Sequence, residues 1–175
     1  MNAHPGGEEH TRRMIELAAL KPHASVLDMG AGAGETVRLL RELDYDACGI
    51  DIEPRGETVM PGDMLRTPFP DESFDGVISQ CAFYVSGNTD AALREAYRVL
   101  KPGGVLMLSD VCFMDIGKAA ETEGFEIIYR EDMTALWREY YIEAIWRGDT
   151  DCIPVKGKCT YEMLIGRKGE NYGSV

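Results

Sequence analysis

Three acids and three glycines stand at spacings that suit a small-molecule site: Asp28, then Gly30, Gly32 and Gly34, then Asp51 and Asp63. Asp28 lies in the apolar run Val26-Leu27-Asp28-Met29, which breaks into alternating glycines. A strand-length apolar run that ends this way marks a place where backbone approaches a ligand closely, since glycine adopts positive φ and leaves no side chain in the way. The turn opens into Glu35-Thr36-Val37-Arg38-Leu39-Leu40-Arg41-Glu42-Leu43, with Val37, Leu40 and either Leu39 or Leu43 on one face. Strand, glycine turn and helix N-terminus together suit an anionic or zwitterionic small molecule.

Three readings compete for the turn. One is a tight strand-to-helix connection with no ligand. A second is a nicotinamide or flavin dinucleotide, whose fingerprint places glycines at relative positions 1, 3 and 6. Here those positions hold Gly30, Gly32 and Glu35, so the third glycine is missing. The third is S-adenosylmethionine. Asp28 separates the last two, because a carboxylate two residues before the first glycine repels a pyrophosphate and favours an ammonium or a sulfonium. Asp51 falls 21 residues after Gly30, at the end of the next apolar run, where an acid can bind ribose hydroxyls. That placement suits either cofactor but weakens the ligand-free reading. In Gly62-Asp63-Met64, an acid can accept from an adenine amino group while the following N–H reads a ring nitrogen, although such a pair is also ordinary turn chemistry.

With these pieces assembled, the chain resembles the class I S-adenosylmethionine-dependent methyltransferases, closest to the small-molecule, quinone-biosynthesis-like group. The matching stretches, in the family's order, are Val26–Gly34, Gly49-Ile50-Asp51, Gly62-Asp63-Met64, Pro68–Asp75 and Arg98-Val99-Leu100-Lys101-Pro102-Gly103-Gly104. They span about residues 25–110; the remainder follows the family only in its element pattern. The resemblance implies that Asp28, Gly30, Ala31 and Gly32 hold the methionine moiety, with Gln80 beside it. It gives Asp51 and Ile52 to the ribose and Asp63 and Met64 to the adenine, S-adenosylhomocysteine being the product. It also implies a Rossmann-like, doubly wound, mostly parallel seven-stranded sheet whose last strand is antiparallel. One departure stands out: only 11 residues separate Asp51 from Asp63. A crossover containing a helix needs a dozen or more. The second helix is therefore expected to be lost, the third strand to be vestigial, and one side of the adenosine pocket to be thin unless another segment covers it.

Methyl transfer from a sulfonium is an in-line displacement with a good leaving group, so alignment supplies much of the rate and neither metal nor covalent nucleophile is needed. Ligands of open α/β sheets bind beyond the carboxyl ends of the strands. There stand Cys81, Tyr84 and Asp110, with Asp110 the candidate general base and Tyr84 a substrate-orienting or packing residue. Trp137, Tyr140 and Tyr141 on a later helix form either core or substrate wall. His4 and His10 sit on an N-terminal arm that could fold over the site as a lid, though mobile histidines are commonly just solvated. Cys81 and Cys112, joined by Cys152 and Cys159, allow a thiol or arsenite-type soft acceptor; small thiols also simply pack well. The amino-group signature of Asn/Asp-Pro-Pro-aromatic is absent, Ser79-Gln80-Cys81-Ala82-Phe83 standing in its place. DNA-adenine and protein-glutamine acceptors are thereby disfavoured. A non-catalytic S-adenosylmethionine sensor and, less well supported, a dinucleotide oxidoreductase are the alternatives.

The elements that must position these residues alternate between strand and helix. Strands are predicted at 26–28, 47–52, 59–60, 74–80, 105–109, 125–129 and 160–166. Helices are predicted at 11–20, from Glu35, from Asn88 or Thr89 to Leu100, around 116–122 and at 133–147. Lys101-Pro102-Gly103-Gly104 is read as the stop of the helix before the fifth strand. This alternation implies a mostly parallel sheet covered on both faces. At 175 residues the chain is read as one domain: an arm and helix (1–24), a cofactor-binding half (25–110) and a substrate-side half (111–175). A formal net charge of -12 argues against nucleic acid and anionic membranes. No apolar run reaches the roughly 20 residues of a membrane span. Five cysteines without a CxxC pair, and a start without a secretory pattern, point to a reducing cytoplasm.

Overall fold

The structure is a computed structural model and describes residues 4–148 and 157–170. Twelve elements follow one another: α1 (Gly7–Ala18), β1 (Ser25–Met29), α2 (Glu35–Glu42), β2 (Asp46–Asp51), β3 (Val59–Pro61), β4 (Phe74–Gln80), α3 (Thr89–Val99), β5 (Leu100–Cys112), α4 (Ile116–Glu123), β6 (Phe125–Asp132), α5 (Thr134–Trp146) and β7 (Thr160–Lys168). The strands form one sheet in the order β3-β2-β1-β4-β5-β7-β6. From β3 to β5 all pairings are parallel, and β7 runs antiparallel to both β5 and β6. The architecture is the expected doubly wound sheet with an antiparallel last strand.

Strand faces separate into two apolar layers. Leu27, Met29, Val77, Leu106 and Leu108 pack with Leu93, Ala96 and Val99 of α3 and Ala120 of α4. Val26, Ile78, Met107 and Ile165 pack on the other face with Met14 and Ala18 of α1 and Val37 and Leu40 of α2. Alternate residues of each central strand serve opposite layers, so both faces must be apolar, and the strands read as continuous hydrophobic runs.

The shortened stretch after Asp51 behaves as its length demands. No helix joins β2 to β3, and β3 has only 3 residues. Residues 52–58 instead fold back over the glycine turn. Arg55 N donates to Gly32 O at 2.9 Å, and a Cβ placed on Gly56 would stand 2.3 Å from Ala33 O.

Three boundaries differ from expectation. Helix α1 starts at Gly7 rather than at residue 11, so residues 7–10 of the predicted arm are helical. Strand β5 starts at Leu100 and runs through Lys101-Pro102-Gly103-Gly104, because Leu100 pairs with Phe74 before the register shifts to Gly76 and Val105. Lys101 Nζ meets Asp75 Oδ1 at 2.9 Å, which holds this irregular strand start against β4. Helix α5 carries its apolar residues all round and buries only Ala144, leaving Ile142, Ile145 and Trp146 exposed.

Candidate cofactor site

The carboxyl ends of β1, β2 and β4 face a cavity of about 730 Å³. Its floor is the turn after β1. Gly30 N and Ala31 N both donate to Ile50 O at 2.9 Å, which binds the turn to the end of β2. Gly30 has φ +84°, and a Cβ there would lie 2.3 Å from Ala82 Cβ. This position needs glycine for both conformation and space.

All nine residues expected to hold the cofactor line this cavity. They are Asp28, Gly30, Ala31 and Gly32 from the turn, Asp51 and Ile52 from the end of β2, Asp63 and Met64 after β3, and Gln80 at the end of β4. Asp28 is buried, and burial together with the nearby Asp51 charge pushes its carboxyl up to about 7. Asp51 Oδ2 accepts from Gly32 N and its Oδ1 from Glu53 N, both at 2.8 Å. Lone pairs remain on both oxygens for hydroxyl donors. Asp63 Oδ1 accepts from Leu65 N at 2.8 Å, the Asx geometry that a turn acid adopts. Gln80 Oε1 accepts from Thr36 Oγ1 of α2 at 3.2 Å and from Thr11 Oγ1 of α1 at 3.3 Å.

The substrate-side residues divide. Cys81 lines the cavity with φ +55°, its Sγ 3.3 Å from Tyr161 OH and its thiol pushed up to about 12 by burial. Tyr84 and Asp110 line a separate cavity of about 330 Å³. The Asp110 carboxylate accepts from Tyr84 N at 3.1 Å and from Val111 N at 2.7 Å, so it braces the loop after β4 rather than facing the larger cavity. Burial raises it to about 6. Trp137 lines a third cavity with Cys112 and Cys159, its ring stacked 5.4 Å from that of Tyr141. Tyr140 lies half-buried on the same helix, and neither tyrosine lines the large cavity. The α5 aromatics are thus kept apart from the cavity by the direction in which α5 leaves β6. Among the described residues no group of His, Cys, Asp and Glu could hold a metal; Cys152 lies outside them.

Several lining residues carried little sequence signal: His4, Glu35, Thr36, Arg55, Val85 and Ser86. Arg55 sits in the segment that replaces a helix. His4 was placed on a mobile arm, and the structure instead packs it half-buried against the cavity. His10 is also buried, with Nε2 2.8 Å from Ser109 Oγ, which donates to Tyr161 OH at 2.8 Å. Burial pushes His10 down to about 4. A neutral polar chain therefore runs from α1 across β5 and β7 to Cys81.

Residues 27–108 match the model of the methyltransferase domain family. An arsenite methyltransferase of Aquipseudomonas alcaligenes is 30% identical over 160 residues, covering 76% of this chain and 46% of that protein. A demethylmenaquinone methyltransferase of Thermus thermophilus is 34% identical over 113 residues, covering 55% of this chain and 51% of that protein. The chain therefore spans about half the length of the curated relatives it matches. In fold it is similar to a phosphoethanolamine N-methyltransferase of Haemonchus contortus solved with S-adenosyl-L-methionine, with TM-score 0.75 and 19% identity over 95% of this chain and 54% of that one. Over residues 27–108 the chain thus matches the methyltransferase domain family, within a fold that it shares with solved methyltransferases.

Proposed function

We propose that this protein transfers a methyl group from S-adenosylmethionine to a small-molecule acceptor. The observation that carries the reading is the buried Asp28 at the floor of the cavity, with Asp51 and Asp63 spaced along it. Three acids in that order fit a cationic methionine end, a ribose diol and an adenine amino group, and they oppose a pyrophosphate.

Bound S-adenosylmethionine supplies an electrophilic methyl on a sulfonium. The residues of this chain hold and align. The Asp28 carboxylate neutralises positive charge in a low-dielectric floor, where such a contact is stronger than in water. Gln80, held between Thr11 and Thr36, sets the methionine end. Asp51, anchored on Gly32 N, presents its free lone pairs to the ribose. The acceptor attacks from the side opposite the sulfur, and the structure leaves Cys81, Val85 and Ser86 around the remaining opening.

Asp110 is not carried forward as general base, because its oxygens accept from Tyr84 N of the loop after β4 and from Val111 N of β5. A soft acceptor at Cys81 is disfavoured by its protonated, tyrosine-bonded thiol. The net charge of -12 and the acid-lined cavity favour neutral or cationic acceptors over polyanions.

Thermal unfolding with S-adenosylmethionine, S-adenosylhomocysteine, NAD and NADP tests the reading. Stabilisation by the first two alone is expected, and selective stabilisation by either nicotinamide would overturn it. Asp51→Ala should weaken S-adenosylhomocysteine by roughly tenfold or more, consistent with loss of a charge-assisted pair of hydrogen bonds. Titration calorimetry measures it. Unchanged affinity would remove the ribose assignment.

A further inference from the structure

We propose that His4 is a positioning residue: as a neutral imidazole it fixes the Gln80 carboxamide and so closes the methionine end of the cavity. The inference rests on the reading of this cavity as the S-adenosylmethionine site.

The strap before α1 is wedged in place. Gly6 takes φ +76°, and a Cβ there would lie 2.7 Å from His10 Cβ and 3.2 Å from Leu136 Cδ2 on α5. Pro5 is buried. The strap thus runs between α1 and α5 and delivers the His4 ring to the cavity wall.

Two neutral tautomers fit the ring's partners. With the proton on Nδ1 it would donate to Pro5 O at 3.3 Å and accept from Thr11 at Nε2. With the proton on Nε2 it engages Gln80, and this second form is the one assigned. The Thr11 hydroxyl has a single proton, which goes to Gly7 O or Gln80 Oε1, each at 3.3 Å. Its lone pair is then open to His4 Nε2–H at 3.2 Å. His4 Nδ1 is left as an acceptor, 3.4 Å from Gln80 Nε2. Gln80 is thereby held at both ends, its oxygen by Thr11 and Thr36 and its nitrogen by His4. A protonated ring has no acceptor. Its Nδ1–H would turn to Pro5 O, 3.3 Å away, and the Gln80 amide would keep only the weak acceptor Met14 Sδ at 3.6 Å.

Burial lowers the His4 pKa, which keeps the ring neutral near pH 7, while the Glu35 carboxylate of α2 pulls the other way. The neighbouring His10 ring, centred 6.3 Å away, is itself held neutral by burial, with Arg13 and Glu131 acting on it from α1 and β6.

The test measures S-adenosylhomocysteine affinity by calorimetry on the full chain, for the wild type, His4→Ala and His4→Asn, from pH 7.5 to pH 5.5. Thermal unfolding confirms that each variant is folded. Asparagine keeps an acceptor near the Nδ1 position and cannot take up a proton. His4→Ala should bind about five- to tenfold more weakly at pH 7.5, as expected for one positioning hydrogen bond. His4→Asn should bind within about twofold of wild type there, and tighter than wild type by about threefold at pH 5.5. Asp28 titrates in all three proteins and cancels in these ratios. Full affinity in His4→Ala, equal losses in both variants, or a wild-type to asparagine ratio that stays flat with pH would each overturn the proposal. A wild type that ignores S-adenosylhomocysteine would instead defeat the cofactor assignment itself.

Discussion

Asp28 carries opposing demands. Its carboxyl is pushed up to about 7 by burial, above its usual value of 3.8. Such a group favours the fold while it is protonated, so its contribution to stability falls as pH rises from about 4 to about 7 and is constant above. A shift of this size is worth on the order of 3 kcal/mol. Asp28→Asn should therefore melt increasingly above the wild type between pH 5 and pH 8, with the difference levelling off beyond. The same change should weaken S-adenosylmethionine by tenfold or more, because the ligand loses its charge partner. Melting curves with and without ligand at pH 8 would show the two shifts in opposite directions. The acid was legible from its spacing to Gly30. His4 was not, because an imidazole on a short strap makes no periodic pattern.

At the scale of elements, residues 52–58 do the work of a helix that the chain is too short to form. That absence could be counted from Asp51 to Asp63. What covers the gap could not, because Arg55 and Gly56 belong to a turn that docks on the glycine loop through Gly32 O and Ala33 O. Gly56→Ala would drive a Cβ to 2.3 Å from Ala33 O, and backbone cannot yield there as a flexible side chain would. The expected result is a five- to tenfold loss of S-adenosylhomocysteine affinity, by the strain cost of about 1 kcal/mol or more that misplaced backbone carries. Circular dichroism should be unchanged, since the sheet does not depend on this segment. Unchanged affinity would show that the segment is a bystander. The start of β5 was misread for a related reason: a proline and two glycines signal a stop locally, yet pairing with Phe74 and the Lys101–Asp75 ion pair keep the segment in the sheet. Strand-end position predicts that Asp110 lies near the ligand, but it could not show that its oxygens accept from Tyr84 N of the loop after β4 and from Val111 N of its own strand.

For the whole molecule, the acid-lined cavity and the net charge of -12 act together on any charged ligand. Raising salt from about 0.02 M to 0.5 M shortens the screening length severalfold. S-adenosylmethionine affinity should fall across that range by more than adenosine affinity does, because only the former carries net positive charge. Equal slopes would argue against electrostatic selection by the cavity. The alternation of strand and helix made the sheet readable in outline. How the cavities among the described residues divide its carboxyl side was not readable, because that depends on the loops and α5 beyond the strands. Among the described residues no helix is long and apolar enough to cross a membrane.

The place of β7 between β5 and β6 also sets an order of events. Within the sheet β6 pairs with β7 alone, and β5 meets no neighbour on its outer side except β7. As the chain emerges during synthesis, β1 to β5 can pair among themselves, but β6 must wait without a sheet partner until Thr160–Lys168 arrives. Until then β5 offers an open edge of the kind that recruits other chains. The cavity residues of β1, β2 and β4 lie on the side that can pair first, whereas the Leu136 contact that wedges the His4 strap must wait for α5.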